Sequence, residues 1–366
     1  DGQLLFIQSA IAKLDPELGR AAIIENGSPL FTGGTSSGES QIRRWLLEND
    51  LLEAIIQMPT DLFYNTGIST YIWLISKNKR PERKGFVQLI DASSIYHKLR
   101  KPLGNKKNEF LPEDRAKICE LYTAYEENEY CKIFPNTEFI YREYTVMQPL
   151  QRSYAFTEER IENLLQSGAL STIYDEAFLN KIDNTMLSEV KAKDKKKYEE
   201  MLGQKPLYDG ILSRLNKAIS EKVYLSPTAF EPVITKLLSD LVDKKTIEKI
   251  ANGLSVMDKT AEIQRDKKGN IIYDKDTKDT EIVRWDEDID DYMAREVLPH
   301  VPDAKAFFEE DLTKSKPIIK TGAEIPFTRY FYKYQSPAPS EELMKQFIEL
   351  ENSVSARIAK FIGGAE

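Results

Sequence analysis

Few side chains in this sequence are of types and spacings that could do covalent chemistry. The 366 residues hold two histidines, His97 and His300, and two cysteines, Cys119 and Cys131. Each histidine stands alone, without the Cys or carboxylate neighbours that zinc or a proton relay needs. No Ser/His/Asp or Cys/His set can be assembled, and no metal site is expected. Gly33-Gly34-Thr35-Ser36-Ser37-Gly38-Glu39-Ser40 follows a strand pattern and precedes a helix pattern, as a phosphate-binding loop does. Glu39, however, stands where a lysine would neutralise phosphate, and a carboxylate there repels it. A surface loop is the better reading. The acidic stretch Asp286-Glu287-Asp288-Ile289-Asp290-Asp291 lacks the glycine and closing glutamate of a calcium loop. It reads instead as the cap of a helix carrying Tyr292, Met293 and Val297.

Two clusters could act by binding. Leu62-Phe63-Tyr64-Asn65-Thr66-Gly67-Ile68 lies on the connection after a strand pattern, where α/β sheets place ligand-contacting groups. Adjacent aromatics in a loop point in different directions, so one could offer its face to a base. Capping a core edge is the alternative. Residues 98–107 place Lys98, Arg100, Lys101, Lys106 and Lys107 around Pro102-Leu103-Gly104-Asn105. Gly104 lets the main chain come close to a phosphate backbone while the cations supply charge. A solvated surface loop is the alternative there. The run 191–197, with Asp194 among its lysines, reads as a solvated helix face.

These clusters need elements to position them. Leu4, Ile7, Ile11 and Leu14 are at helical spacing, and Asp15-Pro16 and Gly19 end that helix. Residues 20–25 read as a strand whose consecutive apolar positions call for burial on both faces of a parallel sheet. Such a strand needs neighbours on both sides, and the sequence supplies them on one, so the sheet reads as incomplete. A helix around Ile42, Trp45 and Leu46 follows, then strands over 51–58, 69–76 and 86–91. Residues 114–129 look helical. Beyond Pro149 the pattern is mostly charged and helical, over 157–166 and 206–251. One hairpin interrupts it, with Asp266-Lys267-Lys268-Gly269-Asn270 as its turn. After Pro337-Ala338-Pro339, with Ser340 as N-cap, the residues Leu343, Phe347, Leu350, Val354 and Phe361 fall near heptad spacing. A narrow apolar seam of that kind wants a partner helix.

The composition excludes whole classes. Hydrophobic residues make up 41% and charged residues 30%, the balance of a globular chain, not a disordered or collagen-like one. At roughly 100–200 residues per domain the length allows two or three domains. The net charge of -8 argues against a free-standing DNA-coating protein, although local basic patches still bind nucleic acid. Apolar runs are too short to span a bilayer. Two cysteines make no disulfide framework, so a reducing cytoplasm is the expected setting and no membrane partner is expected. No signal pattern opens the chain. It lacks an initiator Met and reads as a chain entered partway.

Several segments taken together resemble the methylation (M) subunit of type I restriction–modification systems. They are Asp1-Gly2-Gln3-Leu4-Leu5-Phe6-Ile7-Gln8, Gly27-Ser28-Pro29-Leu30-Phe31, Gly38-Glu39-Ser40-Gln41-Ile42-Arg43-Arg44 and the aromatic loop at 62–68. The likeness continues through Val87-Gln88-Leu89-Ile90-Asp91-Ala92, Leu99-Arg100-Lys101-Pro102-Leu103-Gly104-Asn105-Lys106, residues 295–304 and residues 324–332. The segments occur in the family's order over nearly the whole chain.

The resemblance implies transfer of a methyl group from S-adenosylmethionine to the adenine amino group in DNA. The family's glycine-rich cofactor loop and its Asn-Pro-Pro-aromatic motif are absent here. Pro135 and Asn136 run in the wrong order to substitute. What remains resembles the C-terminal half of a Rossmann-like methyltransferase sheet. Residues 1–150 would be the C-terminal part of the catalytic domain. Residues 151–366 would be a mainly helical region, with a β-hairpin, for assembly and DNA contact. By the same resemblance Phe63 best matches the ring that stacks on an extruded adenine, with Tyr64 as the alternative. Lys98, Arg100, Lys101, Lys106 and Lys107 become phosphate contacts. The helix with Leu343, Phe347, Leu350 and Val354 becomes a dock for the specificity subunit. A second methylation subunit and a restriction subunit complete the implied partners. No catalytic residue is assigned within the chain, and on its own it would be inactive. The competing reading is a non-catalytic assembly module that docks on the specificity subunit and DNA.

Overall fold

The computed structural model describes residues 2–184, 191–334 and 336–362. The chain divides into two compact units, one of Asp1–Arg142, Arg284–Asp286 and Glu310–Glu366, the other of Glu143–Val283 and Glu287–Glu309.

The first unit is α/β. Its sheet comprises β1 (Arg20–Asn26), β2 (Leu52–Gln57), β3 (Thr70–Ser76), β4 (Phe86–Asp91) and, after a separate hairpin of β5 (His97–Leu103) and β6 (Lys106–Glu109), β7 (Cys131–Pro135). The order is β1-β3-β2-β4-β7. Only β2 and β4 run parallel, and the remaining neighbours are antiparallel. The expected strands 51–58, 69–76 and 86–91 are thus found. Helices α1 (Gln3–Lys13), the short α2 (Ser28–Phe31) and α3 (Gly38–Glu48) precede or interrupt them, and α4 (Pro112–Ala124) follows. Consecutive isoleucines on β2 serve opposite faces. Ile55 packs with Leu4, Ile7, Leu46 and Trp73, whereas Ile56 packs with Ile90, Ile95 and the α4 residues Ile118 and Leu121.

The reading of β1 as a parallel strand buried on both faces is corrected. β1 is antiparallel to β3 and stands at the rim of the sheet. Ala21 and Ile23 pack into the core, while Ile24 on the other face is 52% exposed. The cause is the reach of the cover: α4 packs on β4, and β1 lies at the far end of the strand order. A run of apolar residues is therefore a weaker sign of double burial than strand position.

Buried charge ties the sheet to its helices. Glu53 on β2 is 3% exposed and accepts hydrogen bonds from Arg20 Nη2 (3.0 Å) and Tyr122 Oη (2.5 Å). Arg83, also buried, pairs with Glu53 at 3.7 Å and lies between the rings of Tyr122 and Tyr125, each centroid 4.3 Å from its guanidinium carbon. Burial is tolerated because partners replace water around both charges.

The segment resembling a phosphate loop has a structural task. Ser37 caps α3 by accepting from Ser40 N. Ser40 Oγ accepts from Ala323 N (3.0 Å), and Gln41 Nε2 donates to the carbonyl of Thr321 (2.8 Å). Arg43 is 1% exposed; its Nε donates to Ala323 O (2.7 Å) and its Nη1 to Pro29 O (2.9 Å). Desolvation lowers the Arg43 pKa. Together they clip the strand Thr321–Ala323, which pairs with Ile140–Arg142, onto α3.

The second unit is mainly helical. Glu158–Gln166, Glu176–Asp183, Ala192–Lys217, Pro227–Leu238 and Lys244–Gly253 are helices. Phe230, Ile234, Leu215 and Ile250 centre its core, and Tyr154 stacks on Phe230 at 5.2 Å. The expected hairpin at 261–273 forms, with Gly269 at φ +85° and Asp266 N donating to Asn270 O. Asp288 caps its helix as expected, accepting from Asp290 N and Asp291 N. The charged run 191–197 leads the long helix and is mostly exposed. Strands absent from the sequence reading also occur, among them Ile140–Pro149, Arg152–Ala155 and the charged Tyr273–Arg284.

Replacing Arg43 by Ala removes the guanidinium hydrogen bonds to the carbonyls of Ala323 and Pro29 and opens a void. Charged hydrogen bonds contribute roughly 1.5–3 kcal/mol each, so a loss of about 3 kcal/mol is expected in denaturant unfolding. Arg43→Lys should recover only part of it, because one ammonium cannot reach both carbonyls in the guanidinium's fork geometry.

Candidate nucleic-acid interface

The connection from β2 to β3 carries Phe63 and Tyr64. Met58 N donates to Thr70 O (2.8 Å), which closes the base of this loop. Asp61 turns the chain with φ +54°, and Phe63 bridges Thr66 at the tip. Phe63 is half-buried, whereas Tyr64 is 59% exposed and Ile68 54% exposed. The tip therefore presents one large ring openly to solvent.

The basic run at 98–107 is not a loop but the hairpin β5–β6, an element missed in the sequence. Its turn begins with Gly104 at φ +61°, the position that favours glycine. Lys98 pairs with Asn108 and Leu103 with Lys106, so residues 99–102 bulge opposite Lys107 alone. Arg100 and Lys101 lie on this bulge. Lys98, Arg100, Lys101 and Lys107 are exposed and Lys106 is half-buried.

Hairpin and aromatic loop are joined by main-chain bonds. Asp61 O accepts from Lys107 N (2.9 Å) and Asn108 N (3.1 Å), and Tyr64 O accepts from Asn105 N (3.0 Å). Asn108 is 6% exposed, and its Nδ2 donates to Thr60 O at 2.8 Å. A Cβ on Gly104 would sit 3.0 Å from Tyr64 O, so the turn approaches as closely as glycine permits. Lys106 Nζ lies 5.3 Å from the centre of the Tyr64 ring, and Lys107 Nζ lies 3.8 Å from Asp61 Oδ2. Thus the two clusters read separately from the sequence form one surface: an exposed ring with Lys106 over it and the other cations on the hairpin bonded to its loop. Asp61 and Asn108, which join them, went unnoticed because short polar residues beside a charged run look like ordinary loop.

Leu343, Phe347, Leu350 and Val354 lie elsewhere, on the helix Ser340–Ile362. They are 47–64% exposed, and every described side chain on that helix is exposed. Among the described residues no cluster of metal-ligating side chains occurs, and no helix is long and apolar enough to cross a membrane. His300 lines a cavity with Glu281, Glu296 and Asp279 in the second unit.

The family model for N-6 DNA methylase matches residues 1–163, a stretch that includes the whole of this surface. The type I restriction enzyme MjaVIII methylase subunit of Methanocaldococcus jannaschii is 31% identical over 169 residues, 46% of this chain and 27% of that protein. The HindI methylase subunit of Haemophilus influenzae is 32% identical over 121 residues, 33% of this chain and 25% of its own length. A solved type I restriction–modification methyltransferase subunit from Streptococcus thermophilus is 25% identical, with a TM-score of 0.33 over 38% of this chain and 27% of that one. The chain spans about a quarter of the length of these curated relatives. The resemblance to type I methylase subunits read from the sequence is thereby met, and the matched stretch contains both the aromatic loop and the basic hairpin.

His97, at the base of the hairpin, pairs through Nδ1 with Asp114 Oδ2 at 2.8 Å, and Asp114 also accepts from Leu111 N at the start of α4. The hydrogen bond to Asp114 raises the His97 pKa above 6.5, and the same bond lowers that of Asp114 below 3.8. A raised histidine stabilises fully below pH 6.5 and loses its contribution as pH rises through the folded value. A lowered carboxylate contributes above pH 3.8 and loses its effect as pH falls through its own folded value. The tie is therefore strongest between about pH 4 and 6.5 and loosens above it. NMR titration should show His97 with a pKa above 6.5, returning toward 6.5 in Asp114→Asn. A wild-type value at or below 6.5 would contradict the pairing.

Proposed function

We propose that the chain is part of a type I restriction–modification methylase subunit that methylates the adenine amino group in DNA with S-adenosylmethionine. One observation carries the reading: an exposed aromatic ring and a cation-rich hairpin are hydrogen-bonded into one surface inside the methylase stretch. A ring offered beside cations is the arrangement that receives an unstacked base while holding the backbone that carries it. Lys98, Arg100, Lys101, Lys106 and Lys107 would contact phosphates. Exposure favours Tyr64 over Phe63 as the ring that takes the base, with Phe63 supporting the loop from below.

Residues 1–150 would then supply the C-terminal part of the catalytic domain, and residues 151–366 assembly and DNA contact. The exposed seam of Leu343, Phe347, Leu350 and Val354 would meet the specificity subunit. A second methylation subunit and a restriction subunit would complete the assembly, in the cytoplasm.

The residues present do not fit the cofactor by themselves. The cavity near the end of β1, about 340 Å³, is lined by Gly2, Gln3, Leu4, Asn26, Ser28, Pro29, Thr32 and Glu39. It has no aromatic wall for an adenine ring and no cation for a carboxylate. This favours, for the isolated chain, the second reading of a non-catalytic module that contacts DNA and partner subunits. Calorimetric titration of the folded chain with S-adenosylmethionine should give no binding up to millimolar cofactor. Micromolar binding would overturn that reading of the chain.

In the intact subunit, Tyr64→Ala should lower kcat/KM for methyl transfer by roughly 10-fold or more, since base stacking contributes about 1–3 kcal/mol. Changing Lys101, Lys106 and Lys107 together to Gln should weaken DNA binding and reduce the slope of log K against log salt by about 2–3. Unchanged rates and salt dependence in both variants would sink the assignment.

A further inference from the structure

We propose that Asn108 is a positioning residue that holds the aromatic loop against the hairpin, so that backbone contact and base stacking act as one device. The inference rests on the interface reading above and adds a residue to it. Asn108 is nearly fully buried, on the non-bulged strand β6. Its side chain donates to Thr60 O and its main chain to Asp61 O, which fixes the point where the loop leaves the sheet. Asn105 N holds Tyr64 O at the tip of the loop. Phe63 and Tyr64 therefore stand on an arch pinned at its first foot and at its tip by the same hairpin that carries the five cations.

The residue type follows from the geometry. The position needs a donor short enough to reach a carbonyl from a strand while its own main chain bonds the next one. Alanine would take the side-chain donor away from Thr60 O, and aspartate would turn an acceptor toward it. Either change loosens one foot of the arch, leaving only the main-chain bonds to Asp61 O there, and removes none of the five cations. The consequence is specific. Attraction for DNA, which depends on the cations, survives, and the ordered presentation of the ring does not.

The test uses the full chain and a single-stranded oligonucleotide with one 2-aminopurine between two abasic sites, whose fluorescence is quenched when it stacks on a ring. Binding is read in parallel by anisotropy of a terminal dye. Asn108→Ala should bind within about threefold of wild type, because every cation is kept. Its quenching should fall by about half or more. Asn105→Pro, on the exposed turn, removes only the amide that holds Tyr64 O and should act in the same direction; it decides the matter if circular dichroism shows Asn108→Ala unfolded. Full quenching in these variants overturns the positioning role while leaving the stacking reading intact. Absence of wild-type binding, or quenching that survives loss of both Phe63 and Tyr64, overturns the interface reading, and the role of Asn108 falls with it.

Discussion

The carbonyl of Asp61 accepts hydrogen bonds from two successive amides of the hairpin, and this junction gives the candidate interface its shape. A two-stranded hairpin has little stability alone in water, and a loop with an exposed aromatic has less. Each becomes ordered by satisfying the other's main-chain groups. Asp61 adopts a positive φ to present its carbonyl in this way, and Gly104 comes within contact of the Tyr64 carbonyl. The hairpin's cations are thereby tied to the loop that carries the ring, and Lys106 reaches over it.

The base of this arrangement is the rigid part of the first unit. β2 delivers the loop from the middle of a sheet covered on both faces. Its buried Glu53 is neutralised by Arg20 and Arg83, while Tyr122 and Tyr125 enclose the Arg83 guanidinium. The helix α4 supplies Tyr122 and carries in its first turn Asp114, the partner of His97 on β5. One helix thus touches both the buried charge cluster beneath the sheet and the foot of the hairpin. Arg43 does a comparable service on the opposite face, where it receives the chain's later strand.

What could be read from the residues divides along physical lines. Strands β2, β3 and β4 were legible because their apolar runs are buried, and burial leaves a mark in composition. β1 has similar residues but sits at the rim, and strand order is not written locally. The hairpin β5–β6 was hidden by lysines and Pro102, poor strand formers, although Leu103-Gly104-Asn105-Lys106 carries a turn signal. Tyr273–Arg284 escaped for the same reason, being charged along most of its length. At the candidate site, ring and cations were visible as residue types. Their union was not, because it is made by main-chain amides and by Asn108, and the identity of a side chain says little about where its peptide group is bonded.

The central claim is that loop and hairpin form a single nucleic-acid surface. Amide hydrogen exchange of the folded chain, followed during titration with a short oligonucleotide, tests it most directly. The account predicts that residues 60–68 and 97–109 gain protection together, with one dissociation constant, while the amides of the helix Ser340–Ile362 are unaffected. Protection of the hairpin alone, or of neither segment at saturating oligonucleotide, would contradict it.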